Sequence, residues 1–228
     1  MNKTVLSWDI GIKNLSFCHM EKDKIIDWGI INLEDEICLC EGFFKNGNKC
    51  NRKATYIEKK PSEGNENPMT FCKTHSIKNC KLIKKKTYSL LELTKRLVDE
   101  LDKKFKTIEI DSVLLENQPA LKNPKMKSIQ MVIFSYFLIN GYPERIKNIQ
   151  MVPANKKNKY CNEYCKNNDN ITLPCNKSSY QNAKKTAILV CEDIINKDFI
   201  EKIEIFQNSK KKDDLSDSFL QGLQYLNK

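Results

Sequence analysis

The sequence predicts an α/β protein: a mixed sheet of three antiparallel strands followed by alternating helix and strand, flanked by helices and interrupted by a cysteine- and histidine-rich insertion. Three observations carry this. Lys3–Asp9, Asn14–Met20 and Lys24–Leu33 are apolar runs separated by short polar turns, the pattern of an antiparallel meander. From Tyr88 onward, helical apolar spacing alternates with short apolar runs, as in layered α/β architecture. Between Glu34 and Leu82 the periodicity fades and Gly, Asn, Lys and Cys take over.

After that insertion, Leu90, Leu91, Leu93, Leu97, Val98 and Leu101 predict a helix over Tyr88–Phe105, leading to a core strand, Ser112–Glu116, stopped by Pro119. Met126, Ile129, Val132, Ile133 and Phe137 predict a second helix over Lys125–Ile139. Its extra apolar width at Phe134, Tyr136 and Phe137 marks it as a candidate subunit face, although burial on both sides explains the pattern equally well. Ile149–Val152 is a strand cut off by Pro153, and helices follow over Gln181–Ile195 and Leu215–Leu226. The stretch 156–179, rich in Asn and Lys, reads as a polar loop insertion. At 228 residues the chain is expected to be one principal domain, 1–228, carrying the insertions 34–82 and 156–179.

The formal charge of +10, from 39 Lys and Arg against 29 Asp and Glu, favours a polyanionic partner. Candidate phosphate contacts are the clumped lysines Lys156, Lys157, Lys184, Lys185, Lys211 and Lys212. The N-terminus enters a strand pattern without an apolar leader, and the longest apolar stretch, Met131–Ile139, is too short to span a bilayer. The expectation is an intracellular protein of a reducing compartment with no membrane association, in which clustered cysteines bind metal rather than pair.

Two metal sites are expected. Asp9 ends an apolar run before Gly11, and Glu116 ends another before Pro119, so each carboxylate sits where a buried strand opens onto free space. Asp213, Asp214 and Asp217 share the polar face of a helix whose apolar side is Leu215, Phe219 and Leu220. Singly these are ordinary turn and cap residues. Converging, they would repel one another unless a hard cation such as Mg²⁺ or Mn²⁺ held them, which points to metal-dependent phosphodiester chemistry. In the insertion, Cys40-x9-Cys50 and Cys72-x2-His75 supply the soft donors of a closed tetrahedral Zn²⁺ site, one structural ion, with Cys38 or Cys80 as possible substitutes. Cys161, Cys165 and Cys175 lack a fourth ligand, while Cys18 and Cys191 lie in core-type segments.

Taken together, Trp8-Asp9-Ile10-Gly11-Ile12-Lys13-Asn14, Leu115-Glu116-Asn117-Gln118-Pro119 and Asp214-Leu215-Ser216-Asp217 resemble the RuvC-type Holliday junction resolvases of the ribonuclease H-like superfamily. The similarity is greatest to the resolvases of large DNA viruses, such as poxviruses, and of fungal mitochondria, and the run Lys122–Ser128 after the Glu116 segment is its most specific stretch. It implies a ribonuclease H-like sheet and four catalytic acids, Asp9, Glu116, Asp214 and Asp217, with Asp214 preferred over Asp213. It also implies two divalent metals per site, a homodimer, and paired symmetric nicks across a four-way DNA junction, in recombination or in resolving viral genome concatemers at the site of viral DNA replication. Two other classes share parts of the pattern: a ribonuclease H-like nuclease acting on hybrids or transposon ends, and a non-catalytic zinc-stabilised nucleic-acid-binding module. Nicking assays on a junction, a linear duplex and a hybrid separate the three.

Overall fold

The computed structural model describes residues 3–34, 38–62, 64–83, 87–121, 123–168 and 179–227. Its strands and helices run in the order β1 (Val5–Asp9), β2 (Leu15–Met20), β3 (Ile25–Ile31), β4 (Tyr56–Glu58), β5 (Thr70–Phe71), β6 (Cys80–Leu82), α1 (Leu90–Phe105), β7 (Ile110–Glu116), α2 (Pro124–Asn140), β8 (Ile146–Val152), α3 (Asn155–Lys166), α4 (Ser179–Asp198), α5 (Ile203–Asn208) and α6 (Lys212–Leu226). The chain divides into two compact units, a core unit of Met1–Leu33 with Leu90–Lys228 and an inserted unit, Glu34–Ser89.

The core unit is built on a five-stranded sheet in the order β3-β2-β1-β7-β8. Its first three strands form the expected antiparallel meander, and β7 and β8 then add in parallel. Alternation along β1 separates two layers. Trp8 points into an aromatic cluster, its ring centroid 5.3 Å from Phe105 of α1, 5.4 Å from Phe17 and 6.3 Å from Phe137 of α2. Such tilted and edge-on pairs each add about 0.5–1.5 kcal/mol beyond burial. On the opposite face, Val5 packs with Leu114, Val152 and the α6 residues Tyr225 and Leu226. Cys18, Met20 and Trp28 pack there against Val190, Cys191 and Ile194 of α4 and Leu215, Phe219 and Leu220 of α6.

One expectation is corrected and two regions are sharpened. The stretch from Lys156 is helical rather than a loop as far as Lys166, because Lys157, Cys161 and Cys165 recur every four residues and bury one face of α3; the remainder of that stretch, 169–178, lies outside the described residues. Of the two readings left open for the aromatic side of α2, the structure favours burial, with Tyr136 and Phe137 buried and Phe134 half-buried. Phe137 is buried against Trp8, and the Tyr136 hydroxyl donates to Asp102 Oδ1 at 2.7 Å, so the exposed apolar residues of α2 are Met131, Leu138 and Ile139. The inserted unit, whose sequence showed no periodicity, has order of its own: β5, β4 and β6 form a small antiparallel sheet, with Cys40, Cys50, Phe71 and Cys72 buried together. Among the described residues, no helix is long and apolar enough to cross a membrane.

Candidate active site and metal centre

Strand pairing sets the first half of the acidic site. The parallel register runs from Val5 opposite Ser112 to Trp8 opposite Leu115, so Asp9 and Glu116 end neighbouring strands one residue beyond the last pair. Strand alternation puts Asp9 on the face of Val5 and Ser7, the face covered by α6.

Helix α6 brings the second half, and buried polar groups fix its placement. The Ser16 and Ser218 hydroxyls lie 2.6 Å apart, the Gln221 amide donates to Ser7 Oγ at 2.9 Å and to the Trp8 carbonyl at 3.2 Å, and the Trp28 indole N–H donates to the Leu215 carbonyl at 3.2 Å. Each such bond contributes about 1 kcal/mol net, but leaving a partner unsatisfied costs about 1–3 kcal/mol, so sliding α6 along the sheet is costly. Gly222 permits the close approach, since a Cβ there would meet Met20 Sδ at 2.9 Å and Ser7 Cβ at 3.3 Å. So seated, the first turns of α6 carry Asp213, Asp214 and Asp217 to the end of the sheet that bears Asp9 and Glu116.

Asp9, Glu116, Asp214 and Asp217 line one cavity of about 320 Å³, together with Gln118, Met126, Lys157 and Lys184. Burial, then a hydrogen bond and charge repulsion from Glu116, hold the Asp9 carboxyl well above the usual aspartate range. Burial raises Asp217 too, against the pull of Lys157, whose ammonium lies 2.8 Å from Asp217 Oδ1. Burial and the neighbouring Asp213 push Asp214 up to about 6. Asp214 Oδ2 is buried with no hydrogen-bond partner among the described residues. Hard oxygen donors in surplus over the nearby ammonium groups, one of them orphaned, fit a divalent cation of the Mg²⁺ or Mn²⁺ type. Asp213 is engaged elsewhere: its carboxylate pairs with Lys184 at 2.9 Å, which outweighs burial and keeps it below the usual range.

The lysines expected on the outer surface separate into two groups. Lys156, Lys185 and Lys211 are exposed. Lys157 is not, being 8% exposed and ion-paired inside the acidic cavity, and this corrects its assignment to a surface patch. Lys184 is held by Asp213, and half-buried Lys212 lies 3.9 Å from Glu192 with its ammonium over the Phe206 ring. The Ser16, Ser218 and Gln221 anchors went unread in the sequence, where isolated polar residues inside apolar segments give no signal of what they bond. Cys161 and Cys165 are buried in the core with Cys18 and Cys191, while Cys175 lies outside the described residues.

In the inserted unit, one ligand atom from each of Cys40, Cys50, Cys72 and His75 lies within 4.8 Å of the others. Cys40 Sγ and Cys72 Sγ are 3.4 and 3.5 Å from His75 Nδ1, and Cys50 Sγ is 3.9 Å from Cys72 Sγ. A tetrahedral ion with bonds of about 2.3 Å to sulfur and about 2.0–2.1 Å to nitrogen spaces its ligands by roughly 3.5–3.8 Å, close to these three separations, so the group could hold Zn²⁺. Burial pushes the Cys72 thiol up, but the backbone N–H groups of His75 and Thr74 outweigh it and bring it down to about 6, toward the thiolate a metal requires. Gly42 lets the first cysteine hairpin close on this centre, because a Cβ there would meet His75 Cγ at 2.7 Å. Cys38 and Cys80 stand outside the four-atom group.

The chain is thus an α/β protein with a five-stranded mixed sheet, helices on both faces, an acidic cavity at one sheet end and a separate Cys₃His group that could hold a metal ion. No protein-family model matches the chain. Among solved structures, it is similar to the crystal structure of the yeast mitochondrial Holliday junction resolvase Ydc2, with a TM-score of 0.51 and 16% identity over 99% of this chain and 79% of that one. That likeness shows a shared fold. Among characterised and uncharacterised sequences, it is 28% identical to the uncharacterized protein L451 of Acanthamoeba polyphaga mimivirus, over 97% of this chain and 74% of that protein.

Proposed function

We propose that the protein is a structure-selective, divalent-metal-dependent endonuclease of the RuvC type, with a ribonuclease H-like core, that resolves four-way DNA junctions by paired nicks as a homodimer. The observation that carries this reading is the convergence of Asp9, Glu116, Asp214 and Asp217 in one cavity, with a buried oxygen of Asp214 left without a partner. The likeness to a resolvase fold supports it, and so does the net charge of +10.

In this reading the four acids hold Mg²⁺ or Mn²⁺, and the bound cation supplies activation of water and neutralisation of charge at the phosphate. Asp9 and Glu116 provide the fixed side of the site from two strand ends, and Asp214 and Asp217 the facing side from one helix turn. Lys157 holds Asp217 in place through its 2.8 Å ion pair and keeps a cation on the cavity wall. The exposed Lys156, Lys185 and Lys211 guide the backbone toward the opening. The Cys₃His centre carries one structural Zn²⁺, since four protein donors leave no open position for substrate. A second copy meets the exposed Met131, Leu138 and Ile139 of α2, beside a shallow apolar cavity of about 380 Å³ shared with Val98 of α1.

Nicking assays test this directly. With Mg²⁺, a four-way junction should be cut symmetrically and far faster than a linear duplex or an RNA:DNA hybrid. Equal cutting of hybrid and junction would reassign the protein to another nuclease of the superfamily, and no cutting at all would remove the catalytic reading.

A further inference from the structure

The inserted unit carries a feature that metal binding does not explain. Leu39 bridges Lys53 and Phe43 bridges Lys49, forming an antiparallel hairpin that carries Cys40 and Cys50, the first two candidate ligands. Its tip is ordered: the Phe44 N–H donates to the Asn48 carbonyl at 2.9 Å, the Gly47 N–H to the Phe44 carbonyl at 2.9 Å, and the Asn48 N–H to Asn46 Oδ1 at 3.1 Å. Yet every residue from Phe43 to Lys49 is exposed, and Phe43 shows 61% of its surface. Phe44 braces the tip from behind, its ring 5.1 Å from that of His75 and 5.5 Å from the Arg52 guanidinium. A rigid tip that keeps an aromatic ring in water forgoes burial within its own fold.

Charge identifies the occupant. Residues 43–60 contain six Lys and Arg and one acid, Glu58. That acid is turned inward, accepting from Ser62 Oγ at 2.6 Å and the Met69 N–H at 3.0 Å, and Glu41 likewise accepts from the Thr70 N–H. The outward surface of the hairpin is therefore basic around an exposed aromatic ring, the combination that tracks a phosphate backbone while stacking on a base of any identity.

We propose that the Leu39–Lys53 hairpin is a DNA-contact element, in which Phe43 stacks on an unpaired or unstacked base and Lys45, Lys49 and Lys53 hold the adjoining backbone. This rests on the reading of the core unit as a junction nuclease, and it adds a second DNA contact in which the zinc centre acts as the splint of a reading finger. It departs from recognition through backbone phosphate alone, because branch points are where bases become available for stacking.

The experiment uses the full-length, zinc-loaded protein without added Mg²⁺, with zinc content measured for every variant. Fluorescence anisotropy is recorded on a four-way junction carrying 2-aminopurine at the crossover, a plain duplex, and DNA and RNA single strands. Phe43→Ala and Phe43→Leu should each weaken junction binding about tenfold, with little change on duplex and an unchanged salt slope, and should remove the fluorescence quenching at the crossover. Phe43→Trp should retain both. The Lys45→Ala, Lys49→Ala pair should instead flatten the salt slope by about two. Wild-type affinity and quenching in Phe43→Leu with normal zinc would overturn this inference while leaving junction cleavage standing. A wild-type protein that binds none of the DNA probes would overturn both readings, and preference for the RNA strand over every DNA probe would overturn the assignment to DNA.

Discussion

The two units of this chain solve the same problem with different chemistry. The core unit offsets the conformational entropy of folding by burying large apolar side chains completely, among them Trp8, Phe17, Phe137, Phe199, Phe206 and Phe219. Among its described residues the inserted unit has no comparable cluster. Its buried cluster is Cys40, Cys50, Phe71 and Cys72, flanked by Tyr56, Met69 and Cys80, and three of those four buried residues are candidate metal ligands. A unit of this size with so small a core needs a staple, and here the staple would be ligand bonds rather than area. The comparison teaches where each unit is vulnerable: the core unit to cavities and, with the proposed metal centre, the inserted unit to chelation and oxidation.

Removing zinc should give the largest effect. Structural zinc contributes about 10–16 kcal/mol of apparent binding free energy in small zinc-folded peptides, so chelation, or Cys50→Ser, should unfold the inserted unit outright. Hydrogen exchange should report loss of protection in β4–β6 while β1, β2 and β7 stay protected, and elemental analysis should fall from one zinc per chain to none. Collapse of protection in both units together would show that they do not fold independently.

Asp9→Asn and Glu116→Gln should come next, costing about 4 kcal/mol of transition-state stabilisation, or roughly a thousandfold in junction nicking with Mg²⁺. Zinc content and junction affinity should remain those of the wild type, because neither variant touches the inserted unit or the outer lysines. Near-normal cleavage in either variant would dismantle the acidic site.

Trp8→Ala is the converse of zinc removal. It opens a cavity among Phe17, Phe105 and Phe137 and should cost about 3–5 kcal/mol, read as a lower melting temperature of the core unit with the zinc stoichiometry unchanged.

The smallest effect concerns pH. Asp214 titrates near 6 rather than at the ordinary value of 3.8, and Asp9 and Asp217 are raised as well. A raised acid contributes stability that is fully present below its unfolded value and is lost as pH rises through its folded value. In metal-free protein, the stability carried by Asp214 should therefore fade from pH 4 to above pH 6. Protons and Mn²⁺ compete for the same oxygens, so the rise in melting temperature on adding Mn²⁺ should be larger at pH 8 than at pH 5. At a Mn²⁺ concentration one hundred times the dissociation constant, the gain is about 2.7 kcal/mol. An equal gain at both pH values would place the ion elsewhere.

The parts of the fold legible in the sequence were those with strong periodicity. The meander, α1, and the acids at the ends of β1 and β7 follow from apolar runs bounded by turn residues, and the structure extends β8 and α4 only at their ends. The Cys₃His set was legible because cysteine and histidine have few other reasons to cluster. What escaped was amphipathicity carried by atypical residues. The buried stripe of α3 consists of Lys157, Cys161 and Cys165, which read as polar although a lysine stem and two thiols bury readily. For the same reason Lys157 resembled any other surface lysine, when its partner Asp217 is sixty positions away in sequence and adjacent in space. Phe43 and Phe44 sat in a stretch without periodicity, where exposure cannot be inferred from pattern.

The parallel pairing of β1 with β7 makes the two halves of the acidic site mechanically unequal. Asp9 and Glu116 are ruled by the interstrand lattice, whose spacing of about 4.8 Å is a property of backbone hydrogen bonds and indifferent to the side chains around it. Asp214 and Asp217 ride on a helix located by side-chain anchors, each of which a single substitution can lengthen, shorten or remove. The site is thus a vice with one fixed jaw and one adjustable jaw. Changes such as Ser218→Thr or Gln221→Asn reset the gap without touching any of the four acids, a route by which selection can retune the spacing between the jaws while the sheet stays as it is.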